Sequence, residues 1–154
     1  MGHVTTAGDR LADSLVSVVR SMAGMAIRTA GHGPVPLTLV QHRVLVLLQD
    51  AGTLSVNAVA AGLGVDQSNA SRHCTRLAEL GLVRRTPATH DRRSVELRLT
   101  RAGQAQVQAV DDVRRRWAES VLGRLSEEEL QEALRGMEIL AQVAGSANEP
   151  SPLF

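Results

Sequence analysis

The residues best suited to chemistry in this sequence are two arginines beside a predicted hairpin turn. The stretch THDRRSVELRLTRAG places Asp91, Arg92 and Arg93 directly before a segment in which apolar and polar side chains alternate strictly. Such alternation predicts a half-buried strand, so the two cations should lie at the exposed tip of a two-stranded arm. Guanidinium groups held in this way can bind phosphate oxygens or enter the negatively charged minor groove of a duplex.

A second group of polar side chains precedes the arm, on a predicted helix over residues 67–80. Ala70, Cys74 and Leu77 recur at intervals of three or four residues, which predicts that they face the core. The other side chains of its first turns are short hydrogen-bonding groups and arginines, which can contact bases and phosphates. The candidate contact residues are Gln67, Ser68, Asn69, Ser71, Arg72 and Arg76.

The positive charge of the chain is concentrated around these two features. The net charge of the whole chain is only +1, and all 17 of its Lys and Arg residues are arginine. Residues 66–101 contain eight arginines against four acidic residues, a net charge of +4, whereas residues 102–154 carry −4. A local basic patch of this kind is the electrostatic footprint expected of a nucleic-acid contact.

The elements that must position these residues follow from periodicity and turn signals. Two short helices joined by a glycine-bounded turn form a helix-turn-helix, and a β-hairpin directly after it makes a winged helix. The predicted fold is therefore mainly α with a small antiparallel β-wing, a winged helix-turn-helix with six helices. The predicted helices lie at residues 7–29, from 38, at 56–61 and 67–80, from 100 and from 126, and the strands at 53–54, 82–88 and 94–100.

Composition argues against several other classes of protein. The single cysteine rules out an intramolecular disulfide, and the five histidines show no metal-ligand spacing, so we expect no metal and no cofactor. No nucleophile–base pair and no glycine-rich phosphate loop occurs, which argues against an enzyme. Neither a long apolar run nor a signal segment is present, so we expect a cytoplasmic protein that does not enter a membrane.

The segment from Leu37 to Gly103 resembles the winged-helix region of the MarR family of bacterial transcription regulators. The wing is its most specific part, because an Asp-x-Arg-Ser motif is followed by an alternating strand and a Leu-Thr-x-x-Gly helix start. The matching residues are Asp91, Arg93, Ser94, Leu99, Thr100 and Gly103. The order of six helices extends the resemblance over nearly the whole chain.

The resemblance implies a homodimer whose terminal helices intertwine. Residues 36–103 would form the DNA-binding lobe, and residues 1–35 plus 104–147 a helical dimerisation region continuous with it. Arg93 would enter the minor groove with Asp91 as its supporting acid, and the polar helix would contact double-stranded DNA in the major groove. We therefore expect a sequence-specific transcriptional regulator, a repressor at a pseudo-palindromic operator. Apolar stripes on the terminal helices favour a dimer independently, since isologous pairs are the commonest way to bury them.

Two alternatives stay open from the sequence. A small-molecule effector could release the protein from DNA, although the scarcity of aromatic residues departs from family members with stacking pockets, and Trp117 could instead belong to the dimer core. The candidate pocket residues are Arg20, Met22, Met25, His42 and Trp117. The lobe could also serve protein–protein contacts without sequence-specific DNA binding.

Overall fold

Helices dominate the chain, as the sequence predicts. The computed structural model describes residues 6–87 and 95–146, and it divides the chain into two compact units, Met1–Arg114 and Arg115–Phe154. The elements, in chain order, are α1 (Ala7–Thr29), α2 (Leu39–Ala51), β1 (Leu54–Ser55), α3 (Val56–Leu63), α4 (Gln67–Glu79), β2 (Val83–Pro87), β3 (Val95–Leu99), α5 (Arg101–Leu122) and α6 (Glu127–Ser146). The predicted order of helices and strands is thereby confirmed.

Reciprocal capping contacts fix the starts of α1, α2 and α6. At α2 the Gln41 N–H donates to the Thr38 hydroxyl at 3.3 Å, and the Thr38 N–H donates to the Gln41 side chain at 3.0 Å. Ser126 and Glu129 form the same pair of bonds at α6. Each pair satisfies two backbone donors that the first turn of a helix leaves without a partner, so the helix begins at a defined residue.

The three strands form one antiparallel sheet in the order β1-β3-β2. β2 and β3 pair from Val83 opposite Leu99 to Pro87 opposite Val95. Each strand begins and ends within one residue of the bounds predicted for the hairpin. On the central strand Leu97 is fully buried and belongs to the hydrophobic core. The alternation that predicts the strand therefore also indicates which of its faces is buried.

The core of the first unit is aliphatic, which agrees with the near absence of aromatic residues from the sequence. It joins side chains of α2, α3, α4, the sheet and α5. Its fully buried members include Val44, Leu45, Leu48, Val59, Leu77, Leu97 and Val107. Burial of a side chain of this size stabilises a fold by roughly 1.5–3 kcal/mol. This cluster therefore holds the helix-turn-helix and the sheet together.

A short junction fixes the wing to the helices on either side of it. The Thr100 hydroxyl donates to the Gly81 carbonyl at 2.7 Å, and the Thr100 N–H donates to the Leu82 carbonyl at 3.1 Å. The same hydroxyl accepts the Gly103 N–H at 3.0 Å and so caps α5. The end of α4, the start of β2 and the start of α5 are thereby joined at one point.

A buried glutamine makes a second tie in the first unit, which the sequence analysis did not predict. The fully buried Gln106 side chain accepts the Val35 N–H at 2.9 Å and donates to the Val35 carbonyl at 2.7 Å. The amide group thus pairs with the backbone as a neighbouring strand would. Gly33 provides the space for this contact, because a Cβ atom on it would overlap the Gln106 amide.

The junction predicts that Gly103→Ala destabilises the protein. A Cβ atom on Gly103 would overlap the Leu82 carbonyl oxygen, which is backbone and cannot turn away. We expect a loss of roughly 1–3 kcal/mol in the free energy of unfolding, measured with urea at a fixed protein concentration. Gly8→Ala is the control, since its Cβ atom would meet only the Thr6 hydroxyl at 3.6 Å. Equal midpoints for the two variants would contradict this account of the junction.

Candidate nucleic-acid interface

The helix α4 separates a buried face from an exposed polar face. Its buried residues are Ala70, Cys74 and Leu77, as their spacing predicts. On the opposite side Ser68, Arg72 and Arg76 are exposed and recur at every fourth position, so they form one stripe along the helix. This stripe presents hydroxyl and guanidinium donors, the groups that contact bases and phosphates.

A tight turn places α4 against α3. Ser55 caps α3 by accepting the Ala58 N–H at 3.2 Å, and Gly64 ends the helix in the left-handed conformation, with φ of 66°. Glycine adopts this conformation at little cost, because it has no Cβ atom to clash with the backbone. Asp66 then caps α4, so the turn consists of Gly64, Val65 and Asp66. The two helices form the predicted helix-turn-helix.

Asp66 organises the first turn of α4. Its carboxylate accepts the Ser68 hydroxyl at 2.6 Å, the Asn69 N–H at 2.9 Å and the Asn69 side-chain amide. The Asn69 side-chain oxygen in turn accepts a bond from the Arg72 guanidinium. The Ser68 hydroxyl, followed by the Asn69 N–H, lowers the pKa of Asp66 to about 2. A charged carboxylate therefore connects three of the predicted contact residues in one chain of hydrogen bonds.

The other predicted contacts on α4 have different surroundings. Arg76 forms an exposed ion pair with Glu79 at 3.2 Å, a contact that water and salt weaken. Gln67 and Ser71 line a groove of about 330 Å³ between α4, the start of α3 and the sheet. Of the predicted contact residues of α4, three form its exposed stripe, Gln67 and Ser71 line this groove, and Asn69 is half-buried and bonded to Asp66 and Arg72.

Arg85 on β2 forms the charged wall of the groove, and the sequence analysis did not single it out. Its guanidinium donates to the Thr75 hydroxyl of α4 at 2.9 Å. Arg85 lies opposite the buried Leu97 in the sheet and two residues after the buried Val83. Side chains alternate along a strand, so Arg85 lies on the same face of the sheet as both of these residues. This alternation is the sequence signal that could have identified it. The other groove residues are Ser55, Val56, Asn57, Gln67, Ser71 and Val95.

The predicted tip of the wing lies outside the described residues. Asp91, Arg92 and Arg93 fall between Pro87, where β2 ends, and Val95, where β3 begins. Their roles stay predictions. The two strands are paired as far as Pro87 and Val95, which gives the base of the arm next to α4.

Cys74 lies in the core beneath α4 and offers no reactive group. Its side chain is fully buried, and burial raises the pKa of the thiol, while the positive charge of Arg85 acts in the opposite sense. A thiol that stays protonated is a poor nucleophile and reacts slowly with oxidants. The geometry gives no support to a redox switch at this position.

The predicted effector residues have unlike surroundings. Arg20 and Met22 are exposed on α1, and Met25 is half-buried on the same helix. His42 on α2 is fully buried. Trp117 is 37% exposed and belongs to the second unit. A common pocket for these five residues stays a prediction.

His42 is a buried imidazole, and neither of its ring nitrogens has a hydrogen-bond partner among the described residues. Burial lowers its pKa, the nearby charge of Arg114 lowers it further, and Asp111 acts in the opposite sense. The ring is therefore neutral at pH 7. Arg114 also donates to the Thr29 hydroxyl at 3.1 Å, so the end of α1 is linked to α5 beside this histidine.

Other kinds of site find no support in the part of the chain that the structure describes. Within residues 6–87 and 95–146, none of the helices combines the length and the hydropathy that a membrane span requires. The same ranges contain no cluster of three or more His, Cys, Asp or Glu side chains placed to hold a metal ion.

A helix-turn-helix followed directly by a two-stranded wing defines the class of the protein as a winged helix.

Comparisons with known proteins agree with this class. Residues 35–94 match the model of the MarR family. The uncharacterised HTH-type transcriptional regulator YfiV of Bacillus subtilis is 31% identical over 113 residues, which cover 73% of this chain and 71% of YfiV. The HTH-type transcriptional repressor MdtR of the same species is 33% identical over 108 residues, which cover 70% of each protein.

A solved structure extends the similarity over most of the chain. The crystal structure of YusO from Bacillus subtilis has a TM-score of 0.68 at 28% identity, and the match covers 89% of this chain and 98% of YusO. The chain therefore belongs to the MarR family and is a DNA-binding transcriptional regulator. The family and the fold class that the wing motif indicates are both confirmed.

The Asp66 cap predicts a difference between two uncharged substitutions. Asp66→Asn keeps a side-chain acceptor for the first turn of α4, whereas Asp66→Ala removes it. Both variants lose the same negative charge, so the comparison separates capping from electrostatic repulsion of DNA. We expect Asp66→Ala to bind duplex DNA several-fold more weakly than Asp66→Asn in fluorescence anisotropy, because the first turn of α4 frays. Equal affinities would show that the cap does not position the contact residues.

The buried imidazole predicts a pH dependence of stability. Because the folded-state pKa of His42 lies below its ordinary value of 6.5, the unfolded chain binds a proton there first as the pH falls. The stabilising contribution of the neutral ring is therefore present above pH 6.5 and is lost below it, by at most about 1.4 kcal/mol per pH unit. We expect urea unfolding to show a smaller decline between pH 7.5 and 5.5 for His42→Gln than for the wild type. Parallel pH curves would contradict this assignment.

Proposed function

We propose that the protein is a homodimeric repressor that binds a pseudo-palindromic operator and is released by a small-molecule effector. The observation that carries the proposal is the exposed polar stripe of α4 beside the base of the wing. A helix fits the major groove, about 12 Å wide, and arginines inserted from an arm favour a narrow minor groove. The similarity to the repressor MdtR supports the sign of regulation.

In this proposal α4 supplies the contacts in the major groove. Arginine can bind guanine through two hydrogen bonds, asparagine and glutamine can bind adenine, and serine can bind phosphate. Without DNA, Arg72 is bonded to Asn69, and Arg76 is bonded to Glu79. Binding would exchange these exposed local bonds for bonds to the duplex at little net cost. The assigned residues are Gln67, Ser68, Asn69, Ser71, Arg72 and Arg76.

The wing supplies the contact with the minor groove. Arg93 would enter the groove, Arg92 would contact the adjoining backbone, and Asp91 would hold the turn or pair with an arginine. The charge distribution supports this assignment, because residues 66–101 carry +4 in a chain whose net charge is +1.

Exposed apolar side chains support the dimer. On α1 they include Leu11, Leu15, Val18 and Met22, and on α6 they include Leu134, Met137 and Ile139; these seven are between 41% and 58% exposed. Helix faces of this kind mark interaction surfaces, and a second copy of the same chain is the commonest partner. Residues 36–103 would then form the DNA-binding lobe, and residues 1–35 plus 104–147 the dimerisation region.

Two-fold symmetry would determine the form of the operator. Two lobes related by a dyad contact two half-sites about 34 Å apart, one turn of B-DNA, so the operator should be a pseudo-palindrome. Bound at a promoter, such a dimer would exclude the transcription machinery.

The effector part of the proposal is supported by His42. Its neutral ring carries one donor and one acceptor, and neither has a partner among the described residues. A small polar molecule could therefore bond to it, with Arg20, Met22, Met25 and Trp117 as the other candidate contacts. Release from DNA would follow if ligand binding changed the spacing of the two lobes.

The wing assignment predicts that Arg93→Ala weakens operator binding about tenfold or more. Loss of one cation at the duplex should also flatten the plot of log affinity against log salt, by about 0.9 for each lost ionic contact. The affinity is to be measured by fluorescence anisotropy at several salt concentrations, on a duplex that the wild type selects from a random pool. Arg84→Ala, which removes the same charge at the base of the wing, is the control.

Wild-type affinity of Arg93→Ala at physiological salt would show that the wing assignment is wrong. The alternative in which the lobe binds only a protein partner makes a further prediction. It requires that neither Arg72→Ala nor Arg93→Ala alters retention on DNA.

A further inference from the structure

We propose that Arg85 is a phosphate-binding residue, and that the groove beside it receives the sugar–phosphate strand between the major and minor grooves. This inference rests on the proposed function, because it takes α4 and the wing as the two DNA-contacting elements. It assigns a role to a side chain that lies on neither the exposed stripe of α4 nor the tip of the wing.

A second row of α4 side chains faces the groove and differs in composition from the exposed stripe of Ser68, Arg72 and Arg76. Gln67 and Ser71 line the groove, and Thr75, one further turn along, bonds to Arg85. These three residues recur at every fourth position, so they form a row of hydroxyl and amide groups beside the sheet. The opposite wall carries Asn57, the second residue of α3. The groove is therefore lined on both sides by hydrogen-bonding groups.

Among the described residues Arg85 is held in place by one hydroxyl group and has no carboxylate partner. The bond to the Thr75 hydroxyl uses one of the five N–H donors of the guanidinium, and the other four have no hydrogen-bond partner among the described residues. No ion pair joins Arg85 to a carboxylate among the described residues, whereas Arg76 and Arg98 each have a carboxylate partner. An exposed arginine oriented by a neighbouring hydroxyl is suited to phosphate, whose oxygens accept two parallel N–H bonds.

The geometry of a DNA duplex predicts which part of the nucleic acid lies over this groove. When a helix occupies the major groove and a wing enters the adjacent minor groove, one backbone strand separates the two. That strand must pass across the gap between α4 and the sheet, which is where Arg85 projects. The contact would be independent of sequence, since every nucleotide carries the same phosphate.

The experiment compares Arg85→Gln, Arg85→Lys and Arg84→Gln in the full-length protein. Binding of each variant to the selected operator duplex and to a scrambled duplex is measured by fluorescence anisotropy over a series of salt concentrations. We expect Arg85→Gln to lose about tenfold in affinity per bound lobe near 0.1 M salt, on both duplexes alike, and its salt slope to fall by about 0.9 per lobe. Arg85→Lys should keep the wild-type slope, because it retains the charge.

Arg84→Gln controls for general charge. Arg84 adjoins Arg85 in β2 and is also exposed, but it lies opposite Arg98 on the other face of the sheet, so its loss should leave the slope unchanged. The inference is overturned if Arg85→Gln binds like the wild type, if Arg84→Gln lowers the slope equally, or if Arg85→Gln weakens binding to the operator alone. Discrimination by the wild type between operator and scrambled duplex would leave the proposed function standing in each case; no binding to either duplex would remove both.

Discussion

The structure depends on one small junction, in which the Leu82 carbonyl, the Thr100 side chain and Gly103 meet. Thr100 bonds to the carbonyls of Gly81 and Leu82 and caps α5 with the same hydroxyl. A Cβ atom at Gly103 would overlap the Leu82 carbonyl oxygen, so any residue other than glycine would displace the backbone there. Because the junction joins the end of α4 to both strands of the wing, it sets the distance between the two elements assigned to DNA. A helix and an arm can enter neighbouring grooves together only if that distance is fixed.

Hydrogen bonds within α4 orient its polar side chains but are weak enough to be exchanged for bonds to a ligand. Asp66 holds Ser68 and Asn69, and Asn69 holds Arg72, so the exposed stripe is ordered before any ligand arrives. These bonds are at the surface, where water competes and exchange for another partner costs little. Arg85 is oriented in the same way by Thr75. The interface thus combines prearranged donors with a net positive charge, as phosphate binding requires.

The sequence predicts the elements and the buried face of α4, because these depend on periodicity and on local capping. Thr38 with Gln41 marks the start of α2 at Leu39, and the spacing of Ala70, Cys74 and Leu77 marks the buried side of α4. Contacts between distant residues could not be predicted. Gln106 and Val35 are 71 residues apart, and no local pattern pairs them. The alternation of side chains along β2 predicts the face of the sheet on which Arg85 lies. Only the fold shows that Thr75 of α4 lies within hydrogen-bond distance of it.

The central claim is that each lobe binds one sugar–phosphate strand of the duplex between a helix in the major groove and a wing in the minor groove. Hydroxyl-radical footprinting of the wild type on its selected duplex tests it most directly, because it reports the sugars that the protein covers. The account predicts two clusters of protected sugars related by a dyad, about 10 base pairs apart, each including the strand between the two contacted grooves. Protection of a single cluster, or of two clusters that leave the sugars of that strand open to cleavage, would contradict it.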